Sequence, residues 1–386
     1  MSTLLAPEAP ASNLFSRAAV IAMAAMFGLT YSLSAALIAL DLSARGLSET
    51  LIGANAAMHA VGVLVTAMIL PRIVAFFGIR RLAILALVTA AVVLVAFPAV
   101  PLIWLWFVLR LALGMASEIL FVLSEAWTNS LSTEETRARA MAAYTAALSI
   151  GFALGPLILT AVGFSGYAPY LVGAAITLVA ATFIALPKVT APAFDGPTGG
   201  NPLRFMRLAP VAIAATVLNA AIETSGLSFL AIYAINLGWL EGDASRLMSC
   251  MMIGAILLQL PIGWLGDKMD RTRLVLALAT VAALGALVWP LALQSPLATY
   301  ALLFVWGGAF VGIYTIMLTM VGSRFKGTEL IGIYAAMGLM WGFGALIGPL
   351  AAGLAMETSR HGLAFFAATA CAAFAGFMLL QRRSRV

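Results

Sequence analysis

From Ala18 to Leu40 the chain runs without an acidic or basic residue, and apolar runs of similar length recur to its end. This constrains the fold more than any motif does. About 20 apolar residues in a row cross the hydrocarbon layer of a bilayer as a helix. Within lipid a backbone has to satisfy its own hydrogen bonds, which leaves only helices and closed barrels. Barrel strands would alternate polar and apolar residues, and no such alternation is present. Composition agrees, with 63% hydrophobic residues, 9% charged residues and a mean hydropathy of +1.07 over 386 residues. Soluble domains carry charge on about a quarter of their residues. The chain is therefore read as an all-α integral membrane protein.

Apolar runs beginning near residues 18, 48, 81, 101, 138, 167, 209, 244, 274, 297, 328 and 361 predict twelve spans. The first is too long for a signal-peptide core and is expected to stay uncleaved. Of 21 Lys and Arg residues, 17 fall in the tails and loops on the side of the termini. Three, Arg45, Arg246 and Arg360, fall on the opposite side, and Arg110 lies inside a span. Basic residues concentrate on the cytoplasmic side of membrane proteins, so both termini are expected to be cytoplasmic. The same spread across short loops argues against nucleic acid as a partner. Cys250 and Cys371 sit in apolar runs and make no secreted disulfide framework.

The longest polar gap, "PKVTAPAFDGPTGGNPLRFMRL", separates the sixth and seventh spans and has the Pro and Gly content of a flexible linker. "GFALGP" (151–156) and "GFGALIGP" (342–349) share G-x-x-x-G-P, a faint repeat that supports two halves of six helices. The organisation expected is a tail (1–17), a first bundle (18–187), a linker (188–208), a second bundle (209–381) and a tail (382–386).

Residues 263–273, "GWLGDKMDRTR", carry Gly263, Asp267, Lys268 and Arg271 in the spacing G-x-x-x-D-R/K-x-G-R-R/K, with Asp270 where Gly is usual and Arg273 as a second base. This resembles the loop signature of the major facilitator superfamily. The corresponding first-half loop, "PRIVAFFGIRR", keeps Gly78, Arg80 and Arg81 but has Pro71 and Ala75 where Gly and Asp are expected. The resemblance implies that Asp267, Lys268 and Arg271 help to hold the cytoplasmic side closed, with a topology-setting basic loop as the alternative. Arg110, Gly114, "SEAWTN" (124–129), Arg137, Arg139, Tyr144, Gly151, Gly155 and Pro156 further resemble the YcaD-like branch, near the CcoA-like copper and RfnT-like riboflavin importers.

In the superfamily's arrangement the first, fourth, seventh and tenth spans line a central cavity. Those spans hold Tyr31; Arg110 and Glu118; Asn219 and Glu223; and Trp306 and Tyr314. A charge at the bilayer centre costs about 2.5–3.5 kcal/mol on insertion scales, so Arg110 and Glu118 are expected to face water or protein. Arg110 either holds a substrate anion or carbonyl or pairs permanently with a carboxylate. Glu118 lies eight residues on, roughly 12 Å along the axis, too far for a direct bond. Glu125, near the cytoplasmic boundary, is expected to pair with Arg137 or Arg139. Glu118 and Glu223 are the proton-carrier candidates, since a carboxyl held partly out of water can alternate between its two forms. Tyr31, Trp306, Tyr314, Tyr334 and Trp341 could stack on a flat ligand, and His59 either joins them or packs.

No phosphate loop G-x-x-x-x-G-K-S/T occurs, and His59 and His361 lack metal-ligand spacing, which argues against an ATP-driven pump and a zinc protease. The expectation is a non-enzymatic secondary transporter in the inner membrane of a bacterium, working as a monomer without a cofactor. Its first candidate substrate is riboflavin, with proton-linked efflux and copper uptake as alternatives. Copper needs soft ligands. Met248, Cys250 and Met252 sit in the eighth span, but the seventh holds no methionine.

Overall fold

Each apolar run closes its backbone hydrogen bonds on itself. The computed structural model describes residues 10–131, 134–191, 202–325 and 327–383, and the regular elements among them are helices. The first half contributes α1 (Pro10–Ala44), α2 (Glu49–Phe77), α3 (Ile79–Ala99), α4 (Ile103–Ser130), α5 (Glu134–Val162) and α6 (Ala168–Ala185). A short α7 (Pro202–Leu208) leads into α8 (Pro210–Asn236), α9 (Glu241–Leu257), α10 (Gln259–Lys268) and α11 (Arg271–Ala292). The chain ends with α12 (Pro296–Arg324), α13 (Gly327–Thr358) and α14 (Gly362–Arg383). Twelve spans are long and apolar enough to cross a membrane, α9 and α10 together forming the eighth. An even number returns both ends of the chain to one side, the terminal face; the other is the far face.

The break in the eighth span at Leu258 has a local cause. Pro261 has no N–H to offer its own helix and its ring crowds the preceding turn. Two residues before it, the Gln259 side-chain amide donates to the Ala255 carbonyl at 2.6 Å. The region expected to be a linker also differs from a plain coil. Its start is pinned to the first half by the Trp127 indole N–H on the Thr190 carbonyl (2.8 Å), and its end forms α7, whose Phe205 ring sits against Gly332. Between α2 and α3 a single residue, Gly78 at φ +74°, turns the chain, a conformation that suits glycine.

The glycine pairs seen in the sequence set the closest helix crossings. A Cβ on Gly151 would collide with the Ala25 carbonyl, and one on Gly155 with Ser32, so α5 lies directly on α1. Gly344 and Gly348 meet the carbonyls of Val217 and Ala221 in the same manner, placing α13 on α8. The repeated motif thus makes the same crossing in each half, with backbones rather than side chains in contact.

Helices α3 and α11 are peripheral and pack within their own halves. The halves meet through α2 on α13, α5 on α9, and α1 on α8. At the far face this seam is tight. Gly53 abuts the Pro349 carbonyl and Gly353 abuts the Glu49 carbonyl. Glu357 Oε1, at the end of α13, accepts from the Thr50 backbone N–H at 3.0 Å, capping α2 from the opposite half. Toward the terminal face, α4 packs on α1, α2, α3 and α5, and α12 on α8 to α11, with no substantial packing of α4 on α12 among the described residues.

Candidate functional site

Most hydroxyl groups in the inner helices are bonded to their own helix. Thr216 donates to the Ala212 carbonyl (2.9 Å), Thr224 to Ala220 (2.7 Å), Ser225 to Ala221 (2.6 Å) and Thr315 to Val311 (3.2 Å). Thr30 donates to Met26 and Ser34 to Tyr31 (3.1 Å). In lipid this is the cheapest way to bury a hydroxyl: it uses the one O–H donor and leaves the oxygen able to accept, as Ser34 does from Arg110.

A second set of polar groups is not satisfied in this way. Arg110 on α4 is buried, with 3% of its surface exposed. Its Nη1 donates to Ser34 Oγ at a long 3.4 Å, and its Nε has no partner among the described residues. Neither ring nitrogen of the buried His59 has a partner; nor does Nδ2 of Asn55 one turn earlier on α2, nor Oδ1 of Asn219 on α8. Thr50, Thr66, Ser245, Gln259 and Trp289 also hold unpartnered buried atoms, but these are neutral groups scattered through the fold. The crossing of α2 and α4 sets the height of the central group: Gly114 presses on the His59 carbonyl and Gly62 on that of Leu111. Arg110, one turn from Gly114, is within electrostatic reach of His59, Tyr31 and Tyr170.

Tyr31 is the hub of a ring cluster contributed by five helices. Its ring lies 4.7 Å from His59, 5.6 Å from Phe152, 6.0 Å from Phe27 and 6.4 Å from Trp341, measured between centroids. Phe27 in turn meets Phe121 at 5.2 Å. From the second half, Asn219 Nδ2 donates to Glu223 Oε2 at 3.1 Å, and Glu223 is within electrostatic reach of both Tyr31 and Tyr314. Half-buried Glu118 and Glu125 lie toward the terminal face, with Tyr314 reached by the field of Glu125 across the seam. The structure therefore brings Tyr31, Arg110, Asn219 and Glu223 into one neighbourhood and adds His59, Phe27, Phe121 and Phe152.

Trp306 does not join them. Its indole N–H donates to the Ala282 carbonyl at 2.8 Å, and its ring packs on Trp289 and Phe310, so it fastens α12 to α11. Among the described residues Arg110 is recorded in no ion pair, whereas Arg45 pairs with Asp41, Arg246 with Asp243 and Arg271 with Asp267.

The terminal-face residues are engaged locally. Asp267 pairs with Arg271 at 3.7 Å while largely exposed, Lys268 lies 4.0 Å over the Trp264 ring, and Asp270 caps α11 by accepting from the Arg273 N–H. In the first half Arg80 donates to the carbonyls of Ile184, Ala185 and Leu186 at 3.1, 2.5 and 2.6 Å. A cation at the exposed carbonyls of a helix end is favourable, and here it ties the start of α3 to the end of α6. The side chains of Arg137 and Arg139 lie outside the described residues.

Twelve spans among the described residues, in two similar groups joined along a seam and burying polar groups and a ring cluster, define a polytopic membrane transporter. The sequence matches the Major Facilitator Superfamily over residues 18–240 and 211–386, and the chain belongs to that family. It is 25% identical over 358 residues to the uncharacterized MFS-type transporter YfkF of Bacillus subtilis, covering 90% of each chain. It is 23% identical over 265 residues to the uncharacterized MFS-type transporter YcaD of Escherichia coli, covering 68% of each. Among solved structures it resembles the nucleoside transporter NupG (TM-score 0.75, 15% identity, 96% of each chain). The D-xylose-proton symporter is similar to the same degree (TM-score 0.75, 14% identity, 95% of this chain and 97% of that one). These likenesses bear on the fold.

Proposed function

We propose that the chain is a secondary active transporter that carries a small, flat organic solute across the cytoplasmic membrane by alternating access, coupled to protons. The observation that carries this reading is the set of buried, unpartnered polar atoms among the described residues on Arg110, His59, Asn55 and Asn219, carried by α2 and α8 at the seam and by α4 packed against α1 and α2. Each such atom costs about 1–3 kcal/mol while unpaired, a penalty that a bound solute removes. Rocking of one half against the other about α1 and α8 would break the far-face seam at Thr50–Glu357 and expose the same centre to the opposite side.

Glu223, with Glu118 nearer the terminal face, supplies the carboxyl that takes up and releases a proton. The bias of basic residues supports a cytoplasmic terminal face. There Asp267, Lys268 and Arg271 would exchange their local partners for partners across the seam when the far face opens, with Glu125 and Arg137 as further gate candidates. One chain holds both halves and so suffices as a monomer. Riboflavin, suggested by the sequence resemblance, suits a ring-lined site. The soft donors of a copper pathway are engaged in packing: Cys250 donates to the Tyr300 carbonyl at 3.3 Å, and Met248 and Met251 lie around Gly226.

Proteoliposomes containing the purified protein test this reading with radiolabelled riboflavin, nicotinamide and nicotinate, with and without an imposed pH gradient. Accumulation of at least one of them above protein-free vesicles, raised by the gradient, is the expected result, and the sign of the gradient that raises it gives the direction of transport. Absence of any protein-dependent flux would count against it.

A further inference from the structure

The buried arginine has a consequence for the solute that the transport reading alone does not contain. A guanidinium keeps its charge in a protein. Arg110 is therefore a buried cation, and its one recorded hydrogen bond is a long one to a neutral hydroxyl. An unneutralised charge in such a place is strongly unfavourable, and natural proteins retain it where something of opposite sign completes it. Among the described residues no carboxylate is recorded in an ion pair with it. Glu118 is two turns away along the same helix, and Glu223 is bonded to Asn219.

His59 is within electrostatic reach of the guanidinium, and further unpartnered polar groups lie on α2 and α8. His59, held edge-on to Tyr31, offers one donor and one acceptor, neither used within the protein. Asn55 offers an N–H and Asn219 a carbonyl oxygen. The walls are the rings of Phe27, Tyr31, Phe121, Phe152 and Trp341. A guanidinium fork with an adjacent imidazole donor matches the two oxygens of a carboxylate, and rings on several sides match a planar body.

We infer that the solute is an organic anion, a planar aromatic or heteroaromatic carboxylate, held by Arg110 with His59 as a second specificity-determining contact. This rests on the transport reading for its use but is a statement about binding, and it ranks riboflavin, which is uncharged at neutral pH, below acids of smaller size.

The test is a comparison of nicotinate with nicotinamide, which differ in little but charge, together with riboflavin, binding to purified protein at neutral pH. The readout is tryptophan fluorescence, confirmed by thermal shift. Nicotinate is expected to bind about tenfold more tightly than nicotinamide, the ratio by which a charge-assisted hydrogen bond exceeds a neutral one. Arg110→Gln, checked for an unliganded melting temperature near that of the natural protein, is expected to bind acid and amide alike. Arg110→Lys keeps the charge without the fork and is expected to retain a reduced preference, a readout that stands even if the glutamine variant fails to fold. His59→Phe is expected to weaken the acid more than the amide. Equal or tighter binding of nicotinamide or riboflavin, binding of neither nicotinate nor nicotinamide, or an undiminished acid preference in either arginine variant would overturn the inference. Tight acid binding without flux in vesicles would instead leave the inference standing and count against transport.

Discussion

The two halves of this transporter repeat each other in backbone and differ in chemistry. Gly151 and Gly155 set α5 on α1, and Gly344 and Gly348 set α13 on α8, by the same collision of a missing Cβ with a facing helix. The buried polar groups follow no such repeat. The first half holds a cation with no countercharge, an imidazole with both nitrogens unused and most of a ring cluster. The second half presents a carboxyl bonded to its own amide neighbour, on a helix whose other hydroxyls are satisfied internally. The repeated features build a scaffold that can rock. On the reading proposed above, the unrepeated ones would give the halves different emphases, with Arg110 of the first meeting the solute's charge and Glu223 of the second carrying a proton.

The sharpest way to break this division is Arg110→Gln. If the first half recognises the solute, uptake of nicotinate by proteoliposomes falls by about 10- to 100-fold, the loss of one buried charge-assisted hydrogen bond. Glu223→Gln should instead separate two modes of transport. The amide stands for a permanently protonated carboxyl, so exchange of labelled for unlabelled solute continues while accumulation driven by a pH gradient is lost. Equal damage to both modes would show that Glu223 binds solute rather than protons.

Gly114→Ala probes the scaffold beneath the first-half site. Its new methyl meets the His59 carbonyl, and melting in detergent should show a loss of about 1–3 kcal/mol, the usual cost of overpacking. Gly338→Ala is the control: nothing lies within 4 Å of its added Cβ, and it should leave stability unchanged or raise it by up to about 1 kcal/mol. The smallest effect belongs to Glu357→Gln at the exposed far-face cap. Spin labels placed at Ser48 and Ser359 should report a modest shift toward longer separations, as the seam loses one charge-assisted contact.

Much of this was legible because lipid makes charge conspicuous. Arg110, Glu118 and Glu223 stand out in apolar runs, and Asn219 stands out beside them, so their inward placement follows from the cost of any other. The glycine pairs were legible for a related reason, since spacing alone puts small residues on one face. Phenylalanine carries no such signal. Phe27, Phe121 and Phe152 read like any lipid-facing ring, and only the packing of α1, α4 and α5 gathers them. Trp306 shows the converse, an aromatic residue on an inner span that turns toward α11 to bond the Ala282 carbonyl. His59 was visible but undecided, because a single helix cannot show whether an imidazole finds partners elsewhere. That Arg110 meets a neutral hydroxyl and no carboxylate among the described residues was hidden for the same reason: it is a property of every helix around it.

The most direct measurement is the pH change outside lightly buffered proteoliposomes when nicotinate is added, read with an impermeant dye and corrected for protein-free vesicles. If Arg110 holds the anion and Glu223 brings a proton with it, the natural protein turns the outside alkaline, and Arg110→Gln and Glu223→Gln each abolish the signal. No alkalinisation with the natural protein, or the same alkalinisation with either variant, would contradict the assignment of recognition to one half and proton carriage to the other.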